Sequence, residues 1–217
     1  EVNCRSVIRL HLEPLEATAA NCQSGMTFVR AGSFFSATTG RMEQIASFCI
    51  DRTEISEVDY DACAKAGACR PTKAPAAAPS AKPVVGVDWA DAGKYCGWAK
   101  KRMVRESEWE FAATGGDGRS YPWGEDIDCS RANYAECAVG GPMPVASYDP
   151  AGASPFGVLN LAGNVWEWVS DAYGIAEGMR IVRGGGWGAD STLARTAQRV
   201  TVAPTDRDDQ TGFRCAF

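Results

Sequence analysis

Cysteine content is the feature that most constrains this chain. Its 217 residues include nine cysteines and a single histidine, His11. Such heavy cysteine usage favours an oxidising compartment, where disulfides persist; buried free thiols in a cytosolic protein are the alternative. No two cysteines have the CxxC spacing of a zinc ribbon or a thioredoxin-type motif. One histidine also excludes any metal site built from two or three histidines of this chain.

Two pairs of cysteines are close in sequence, Cys63 with Cys69 and Cys129 with Cys137. Short loops of this kind close at a low entropic cost, so we predict a disulfide across each loop. Because the total is odd, at least one thiol is free or is paired outside this chain.

The overall composition narrows the possible partners. Apolar residues make up 45% and charged residues 23%, which is typical of a globular protein. The formal charge is −5, and without a Lys/Arg cluster nucleic acid is not expected as a partner. No apolar run approaches the roughly 18 residues that cross a bilayer, so we predict no transmembrane segment. Residues 1–25 do not resemble a signal peptide, so we expect that any export signal has already been removed.

The local patterns predict an α+β domain with many loops. Residues 26–35 alternate between apolar and polar and predict a strand, as do the shorter segments at residues 48–53, 180–183 and 211–217. Two main helices are predicted, one capped by Ser56 and running to about Ala66, the other capped by Asp88. A third short helix is predicted at about residues 106–113. Four prolines spaced four apart in residues 70–83 predict an extended surface loop.

Eight segments, taken in order, identify a family. They are Gly25-Met26 with Gly32-Ser33-Phe34; Ile50-Asp51-Arg52-Thr53-Glu54-Ile55; Val87-Asp88-Trp89 with Tyr95-Cys96; Glu108-Trp109-Glu110-Phe111-Ala112; Tyr121-Pro122-Trp123-Gly124; Asn160-Leu161-Ala162-Gly163-Asn164-Val165-Trp166-Glu167-Trp168; Arg183-Gly184-Gly185-Gly186-Trp187; and Gly212-Phe213-Arg214-Cys215. The chain resembles the formylglycine-generating enzyme (sulfatase-modifying factor) family from about Gly25 to Phe217. The resemblance implies a variant of the C-type lectin fold over residues 25–217, with residues 1–24 as an N-terminal extension packed on it.

The resemblance also implies a third disulfide, between Cys96 and Cys215. Of the three cysteines that remain, we pair Cys22 with Cys49 and leave Cys4 over. Five tryptophans are interpreted as core residues, because each offers a large apolar area and one N–H group that needs a partner: Trp109, Trp123, Trp166, Trp168 and Trp187. For Trp187, where the family's active-site segment begins, a role in contacting a ligand stays open.

One structural calcium ion is expected. Asn160 and Glu167 lie seven apart in a loop rich in Gly and Asn, and carboxylate, amide and carbonyl oxygens suit Ca²⁺. The family's calcium loop places the Asn160 and Glu167 side chains and the Gly163 and Val165 carbonyls on the ion. The alternative is a loop held by hydrogen bonds alone. A second family site, beginning at an Asn that matches Asn133, lacks its Asp here, and we expect the Cys129–Cys137 disulfide in its place.

The family's reaction is a copper-dependent oxidation that uses two cysteines just after the Arg-Gly-Gly segment. Residues 186–195 contain no cysteine, so neither copper nor the oxidase activity is expected. Asp190, Ser191 and Arg195 are polar, but no histidine is nearby to activate a serine. Glu108 and Glu110 flank Trp109 and should point to different sides of their helix. We therefore predict no catalytic residues.

These observations favour a non-catalytic, exported binding or regulatory module, in the periplasm or outside the cell. The expected partner is a protein, as for a periplasmic regulator of a secretion or signalling pathway. The predicted binding face consists of Trp187, Asp190, Arg195 and Arg199. Two alternatives stay open: an enzyme of the same fold with an unrecognised site, and a lectin-like module that binds carbohydrate.

Overall fold

The computed structural model describes residues 17–73, 78–172 and 178–217. Within these ranges it contains three α-helices, ten short strands and many loops, in the order β1 (Met26–Val29), β2 (Gly32–Ser36), β3 (Arg41–Ile45), β4 (Phe48–Asp51), α1 (Glu57–Lys65), α2 (Trp89–Trp98), β5 (Arg102–Met103), α3 (Glu106–Thr114), β6 (Trp166–Ala172), β7 (Arg180–Arg183), β8 (Arg199–Val202), β9 (Thr211–Phe213) and β10 (Cys215–Ala216). The α+β class and the loop-rich architecture are as predicted.

The strands form two four-stranded sheets and one hairpin. The first sheet has the order β1-β4-β10-β5, so the C-terminal strand lies between β4 and β5. The second has the order β8-β7-β6-β9, with β6 and β9 parallel. The hairpin pairs β2 with β3. Because β9 belongs to the second sheet and β10 to the first, the last residues of the chain connect the two sheets.

The helix boundaries follow the predicted caps. The Ser56 side chain accepts a hydrogen bond from the Asp59 N–H, and α1 begins at the next residue, Glu57. Asp88 and Asp91 form a reciprocal capping box at the start of α2. Gly115, in the left-handed conformation, ends α3.

Several strand predictions need correction. Residues 26–35 do not form one strand: β1 pairs with β4, whereas β2 turns away to pair with β3. The sequence patterns do not predict β3, β5, β6 or β8. β8 alternates between polar and apolar residues (Arg199-Val200-Thr201-Val202), but it is only four residues long and every one of them is half-buried, so no contrast between a buried and an exposed face identifies it.

Two of the predicted core tryptophans are fully buried, Trp109 and Trp168, one in each of the two large apolar clusters. Trp123, Trp166 and Trp187 are half-buried. Their indole N–H groups donate to the Glu167 carboxylate (2.8 Å) and the Val87 carbonyl (3.2 Å). Indole N–H donors thus satisfy buried acceptors in a fold with little regular structure.

All four predicted disulfides are present: Cys22–Cys49, Cys63–Cys69, Cys96–Cys215 and Cys129–Cys137. Cys96–Cys215 joins α2 to β10 across 119 residues of sequence. Four disulfides are typical of proteins from an oxidising compartment. Cys4 and His11, with most of the predicted extension, lie outside the described residues.

Of the helices that the structure describes, none has the length and apolar character needed to cross a membrane.

Candidate functional site

The predicted binding segment follows β7 through a glycine turn. Gly184 has φ +92°, and a Cβ placed on it would lie 3.2 Å from the Trp109 ring. Both the backbone conformation and the close approach therefore require glycine here. The turn directs the next residues out of the core, so that Trp187 is half-buried and Gly188 is exposed.

Trp187 is held by the turn before β9. Its indole N–H donates to the Asp209 carbonyl at 3.2 Å, and the neighbouring Gly188 N–H donates to Gln210 Oε1 at 3.1 Å. These two contacts anchor the segment from one side. The indole N–H is thus already occupied, and a partner of Trp187 would meet the exposed part of its ring.

Asp190 organises the next turn. Its Oδ1 atom accepts hydrogen bonds from the Thr192 N–H (2.9 Å) and the Leu193 N–H (3.0 Å), and also from the Thr192 hydroxyl. These bonds, led by that of the Thr192 side chain, lower the pKa of Asp190. The carboxylate stays charged at the surface while it also holds the turn.

The two predicted arginines lie in different settings. Arg195 is exposed, as is Asp190. Arg199 lies on β8 and donates to Glu106 Oε2 of α3 at 3.1 Å. Trp187 and Asp190 therefore share one exposed turn region, whereas Arg199 belongs to an ion-pair network with the α3 helix.

A second loop supports the binding segment from the other side. The Ala135 N–H donates to the Ala189 carbonyl at 2.8 Å, and Glu136 Oε1 accepts from the Ser191 N–H at 3.1 Å. The hydrogen bond from the Ser191 N–H lowers the pKa of Glu136. Both residues belong to the loop closed by Cys129 and Cys137, which sequence reasoning did not connect to this segment.

The remaining catalytic candidates do not form a site. Glu108 accepts two hydrogen bonds from Arg102, at 2.7 and 2.8 Å. Glu110 instead bonds to the Ser36 hydroxyl and the Ala37 N–H. The two carboxylates thus point to different sides of α3, as predicted. Residues 186–195 contain no cysteine, and Cys137, which follows the Glu136 that contacts Ser191, is bound in a disulfide.

The predicted calcium loop is built from left-handed residues. Asn160, Gly163 and Asn164 all have positive φ. A Cβ on Gly163 would lie 2.3 Å from the Asn133 carbonyl oxygen, so only glycine fits. The Asn164 N–H donates to the same carbonyl at 2.7 Å. The loop at residues 160–164 and the loop at Asn133 therefore pack backbone to backbone.

Glu167 is occupied by other donors. Arg214 donates to both of its oxygens, at 2.6 and 2.7 Å, and the Trp109 indole N–H adds a third bond at 2.8 Å. All three residues are buried. A guanidinium and an indole therefore satisfy this carboxylate.

Glu54 is the carboxylate that Asn160 contacts. Asn160 Nδ2 donates to Glu54 Oε2 at 2.8 Å and to the Val145 carbonyl at 2.9 Å. Asn164 Nδ2 donates to the other Glu54 oxygen at 2.8 Å. Burial, the dominant cause, raises the pKa of Glu54 to about 7, and the nearby Glu167 adds to the effect, although Arg214 opposes it. Glu54 lies in the quoted Ile50–Ile55 segment, but no pattern in the sequence indicates that it contacts Asn160 and Asn164.

Asn133 lies beside this group. Its Nδ2 donates to the Gly141 carbonyl at 2.9 Å and lies 3.4 Å from Asn164 Oδ1. Its own Oδ1 is buried and has no hydrogen-bond partner among the described residues. An acceptor of this kind is normally satisfied by an ordered water or an ion.

Comparison with known proteins agrees with this architecture. The family model "Sulfatase-modifying factor enzyme 1-like domain" matches residues 13–217. The "Inactive C-alpha-formylglycine-generating enzyme 2" of Bos taurus is 40% identical over 151 residues, which cover 62% of this chain and 50% of that protein. The "Formylglycine-generating enzyme" of Streptomyces coelicolor is 37% identical over 166 residues, covering 62% and 52%. This chain thus spans about half the length of these relatives.

A solved structure is similar over nearly its whole length. PvdO from Pseudomonas aeruginosa superposes with a TM-score of 0.74 at 26% sequence identity, covering 88% of this chain and 93% of that one. Because the family model covers most of the sequence and the fold agrees with it, the chain belongs to the sulfatase-modifying factor enzyme 1-like, or formylglycine-generating enzyme, family.

Proposed function

We propose that this protein is a non-catalytic member of its family that binds a protein partner through the exposed turn region at Trp187 and Asp190, with Arg195 beside it. One observation carries the proposal: residues 186–195 lack the cysteines that the family's oxidase requires. The similarity to relatives named inactive supports it.

The hydrogen bonds of this segment suit a recognition surface. Trp187 and Asp190 are each fixed by bonds to neighbouring backbone or side-chain groups. A surface that is ordered before binding loses less conformational entropy when a partner docks. Arg199 contributes at the edge, through its pairing with Glu106. We propose a regulatory role of this kind in the periplasm or outside the cell, which the four disulfides support.

The enzyme alternative has a direct test. The protein is incubated with copper and a sulfatase-type cysteine peptide, and mass spectrometry follows the mass of the peptide. We expect no loss of the thiol, while an active formylglycine-generating enzyme run in parallel converts the peptide. Conversion by this protein would overturn the non-catalytic assignment.

The binding face is tested with a matched pair of variants. Trp187→Ala removes the ring at the proposed face, whereas Trp98→Ala removes an exposed tryptophan (42% exposed) from the end of α2. In a pull-down from the periplasmic or secreted fraction of the producing organism, we expect Trp187→Ala to lose a partner that wild type and Trp98→Ala retain. Equal retention by all three proteins would reject this face.

We also propose that one calcium ion is held near Asn160, with Glu54 as its carboxylate in place of Glu167. The Glu54 carboxylate and the Val145 carbonyl both face Asn160 Nδ2. If the Asn160 amide turned over, its oxygen would join them, and these are ligand types that Ca²⁺ prefers. The Gly163 and Val165 carbonyls would complete the set. Glu167 does not fit, because Arg214 and Trp109 occupy its oxygens.

Thermal unfolding in calcium and in EDTA tests this proposal. A ligand that binds only the folded state stabilises it by about 2.7 kcal/mol when present at 100 times its Kd. We expect calcium to raise the melting temperature of wild type and of Glu43→Gln, a control on the hairpin, but not that of Glu54→Gln. An unchanged melting temperature in wild type would reject the site, and a calcium shift retained by Glu54→Gln would reject Glu54 as a ligand.

A further inference from the structure

The four disulfides differ in how exposed their cysteine residues are. Three of them contain at least one buried cysteine, namely Cys49 (its partner Cys22 is half-buried), both Cys63 and Cys69, and both Cys96 and Cys215. In the fourth, Cys129 is exposed and Cys137 is half-buried. A thiol can exchange with a disulfide only where it can reach a sulfur atom.

The loop closed by this accessible disulfide reaches two functional regions. Ala135 and Glu136, next to Cys137, hydrogen-bond to Ala189 and Ser191 of the binding segment. In the middle of the loop, Asn133 is fully buried and packs against Gly163 and Asn164. The disulfide therefore holds together a loop with one anchor in the interior and one at the surface.

The end of the loop is bound weakly apart from this bridge. Residues 135–137 form a single short 3₁₀ turn with no buried residue. The Glu136 carboxylate is exposed, and its contact with Ser191 is screened by solvent. Asn133, in contrast, stays in place through its buried backbone contacts. Opening the bridge should thus free residues 135–138, while the buried Asn133 and Tyr134 stay in place.

We propose that Cys129–Cys137 is a thiol–disulfide exchange site for a dithiol reductant, and that its opening loosens the binding segment at residues 189–191. A thiolate of the reductant attacks the exposed Cys129 sulfur, forms a mixed disulfide and displaces Cys137 as a thiolate, which takes up a proton. The second thiol of the reductant then attacks the mixed disulfide and releases Cys129. Two electrons and two protons pass to the protein, and the reductant leaves as a disulfide.

The size of the effect follows from the length of the loop. In the loop-closure model, a disulfide between residues eight apart reduces the number of conformations available to the opened loop on the order of 100-fold. Reduction should therefore increase opening of the Ala135–Ala189 and Ser191–Glu136 contacts by up to about this factor. The consequence for partner binding rests on the proposed function, but the redox step and the loosening do not.

Differential alkylation identifies the reactive bridge. Free thiols of the folded protein are first blocked with N-ethylmaleimide, limiting dithiothreitol is then added, and newly formed thiols are labelled with iodoacetamide and mapped by mass spectrometry. We expect Cys129 and Cys137 to be labelled before any other pair. Earlier labelling of Cys22 and Cys49, or of any other pair, overturns the exchange site.

Hydrogen exchange tests the loosening in the same samples. Amide exchange of peptides covering residues 132–137 and 186–195 should rise on reduction, by up to about 100-fold, while peptides of β6 and β7 keep their protection. Cys129→Ser with Cys137→Ser should reproduce this pattern, and Cys63→Ser with Cys69→Ser should not. If selectively reduced wild type keeps full protection in residues 186–195, opening of the disulfide does not loosen the binding segment, and the proposal is wrong. This result does not depend on whether the serine variants fold. Neither readout needs a partner, so failure here is distinct from failure of the binding face.

Discussion

Two neighbouring buried glutamates have different kinds of partner: one is paired with a cation and the other accepts hydrogen bonds from neutral amides. Glu167 meets a guanidinium that donates to both oxygens, with an indole N–H as a further donor. Glu54 meets two asparagine amides and no direct ion-pair partner among the described residues. A buried carboxylate with amide donors alone has its charge only partly compensated, and this explains why the pKa of Glu54 is raised to about 7.

The comparison distinguishes a carboxylate whose charge is compensated within the protein from one whose charge is not. Arg214 is completely committed: besides Glu167, its guanidinium donates to the carbonyls of Asp51 and Leu159. Arg214, which lies between β9 and β10, therefore connects the end of β4 with Leu159, next to Asn160, and with Glu167 of β6. Glu54, in contrast, has only neutral amide donors, so burial disfavours its charged form. Under the calcium proposal a cation would supply the compensation that Arg214 gives to Glu167.

The largest expected effect comes from breaking the Glu167 pair. Arg214→Met leaves an uncompensated buried carboxylate and removes donors from two carbonyls. We expect a loss of about 3–5 kcal/mol in the free energy of unfolding, measured by urea denaturation. Arg41→Met, on the exposed edge of the hairpin, is the control and should change stability by less than about 0.5 kcal/mol. A loss below about 1 kcal/mol for Arg214→Met would mean that the pair is not structural.

The next effect is a dependence of stability on pH that comes from Glu54. Its pKa is about 7 in the folded protein and near the ordinary 4.5 in the unfolded chain. The folded state therefore binds this proton more tightly than the unfolded chain does. Protonation of Glu54 thus adds to the free energy of unfolding, fully below about pH 4.5, and this stabilisation is lost as the pH rises through 7. The two pKa values correspond to a stabilisation of about 3 kcal/mol.

Denaturation in EDTA at a series of pH values between 5 and 8 measures this contribution. Glu54→Gln should flatten the dependence, whereas Glu43→Gln should retain it. If wild type became more stable from pH 5 to pH 8 in EDTA and Glu54→Gln did not alter that trend, Glu54 would not be the group responsible. Calcium should abolish the loss in wild type, because a bound cation favours the charged carboxylate.

A smaller effect is expected from the indole that bonds Glu167. Trp109→Phe keeps an aromatic ring in the core but removes one donor and leaves a small cavity. We expect about 2 kcal/mol of destabilisation at any pH from 5 to 8, since Arg214 still neutralises Glu167. Calorimetry at two pH values checks it. A cost that appeared only at high pH would show that the indole contributes to charge compensation.

Much of the fold could be predicted from the sequence because its signals are local. The caps at Ser56 and Asp88, the glycine stop after α3 and the loop-closing cysteine pairs each depend on residues within a few positions. The family segments supplied the long-range Cys96–Cys215 link. Strands β3, β6 and β8 could not be found in this way. They are only four to seven residues long, and none of them alternates between buried and exposed residues, so a period of two is too weak a signal to identify them.

The candidate site was only partly predictable for the same reason. Trp187 and Asp190 lie in a single loop, so their closeness follows from the sequence. Arg199, also part of the predicted binding face, lies on β8 and pairs with Glu106, which no local pattern indicates. The support from Glu136, on a loop more than fifty residues earlier, depends entirely on the tertiary arrangement.

By itself, the sequence determined the family, the two short-loop disulfides and the absence of cysteines from residues 186–195. These follow from which residues are present and in what order, whereas the Cys96–Cys215 pair was implied by the family resemblance. Only the tertiary structure decided which carboxylate faces which donor, and which disulfide is accessible. Those properties depend on burial and on contacts such as Glu54 with Asn160, 106 residues apart, and Glu167 with Arg214, 47 residues apart. No local pattern encodes such distances, because the charge on a buried group is stabilised by whatever folding brings next to it.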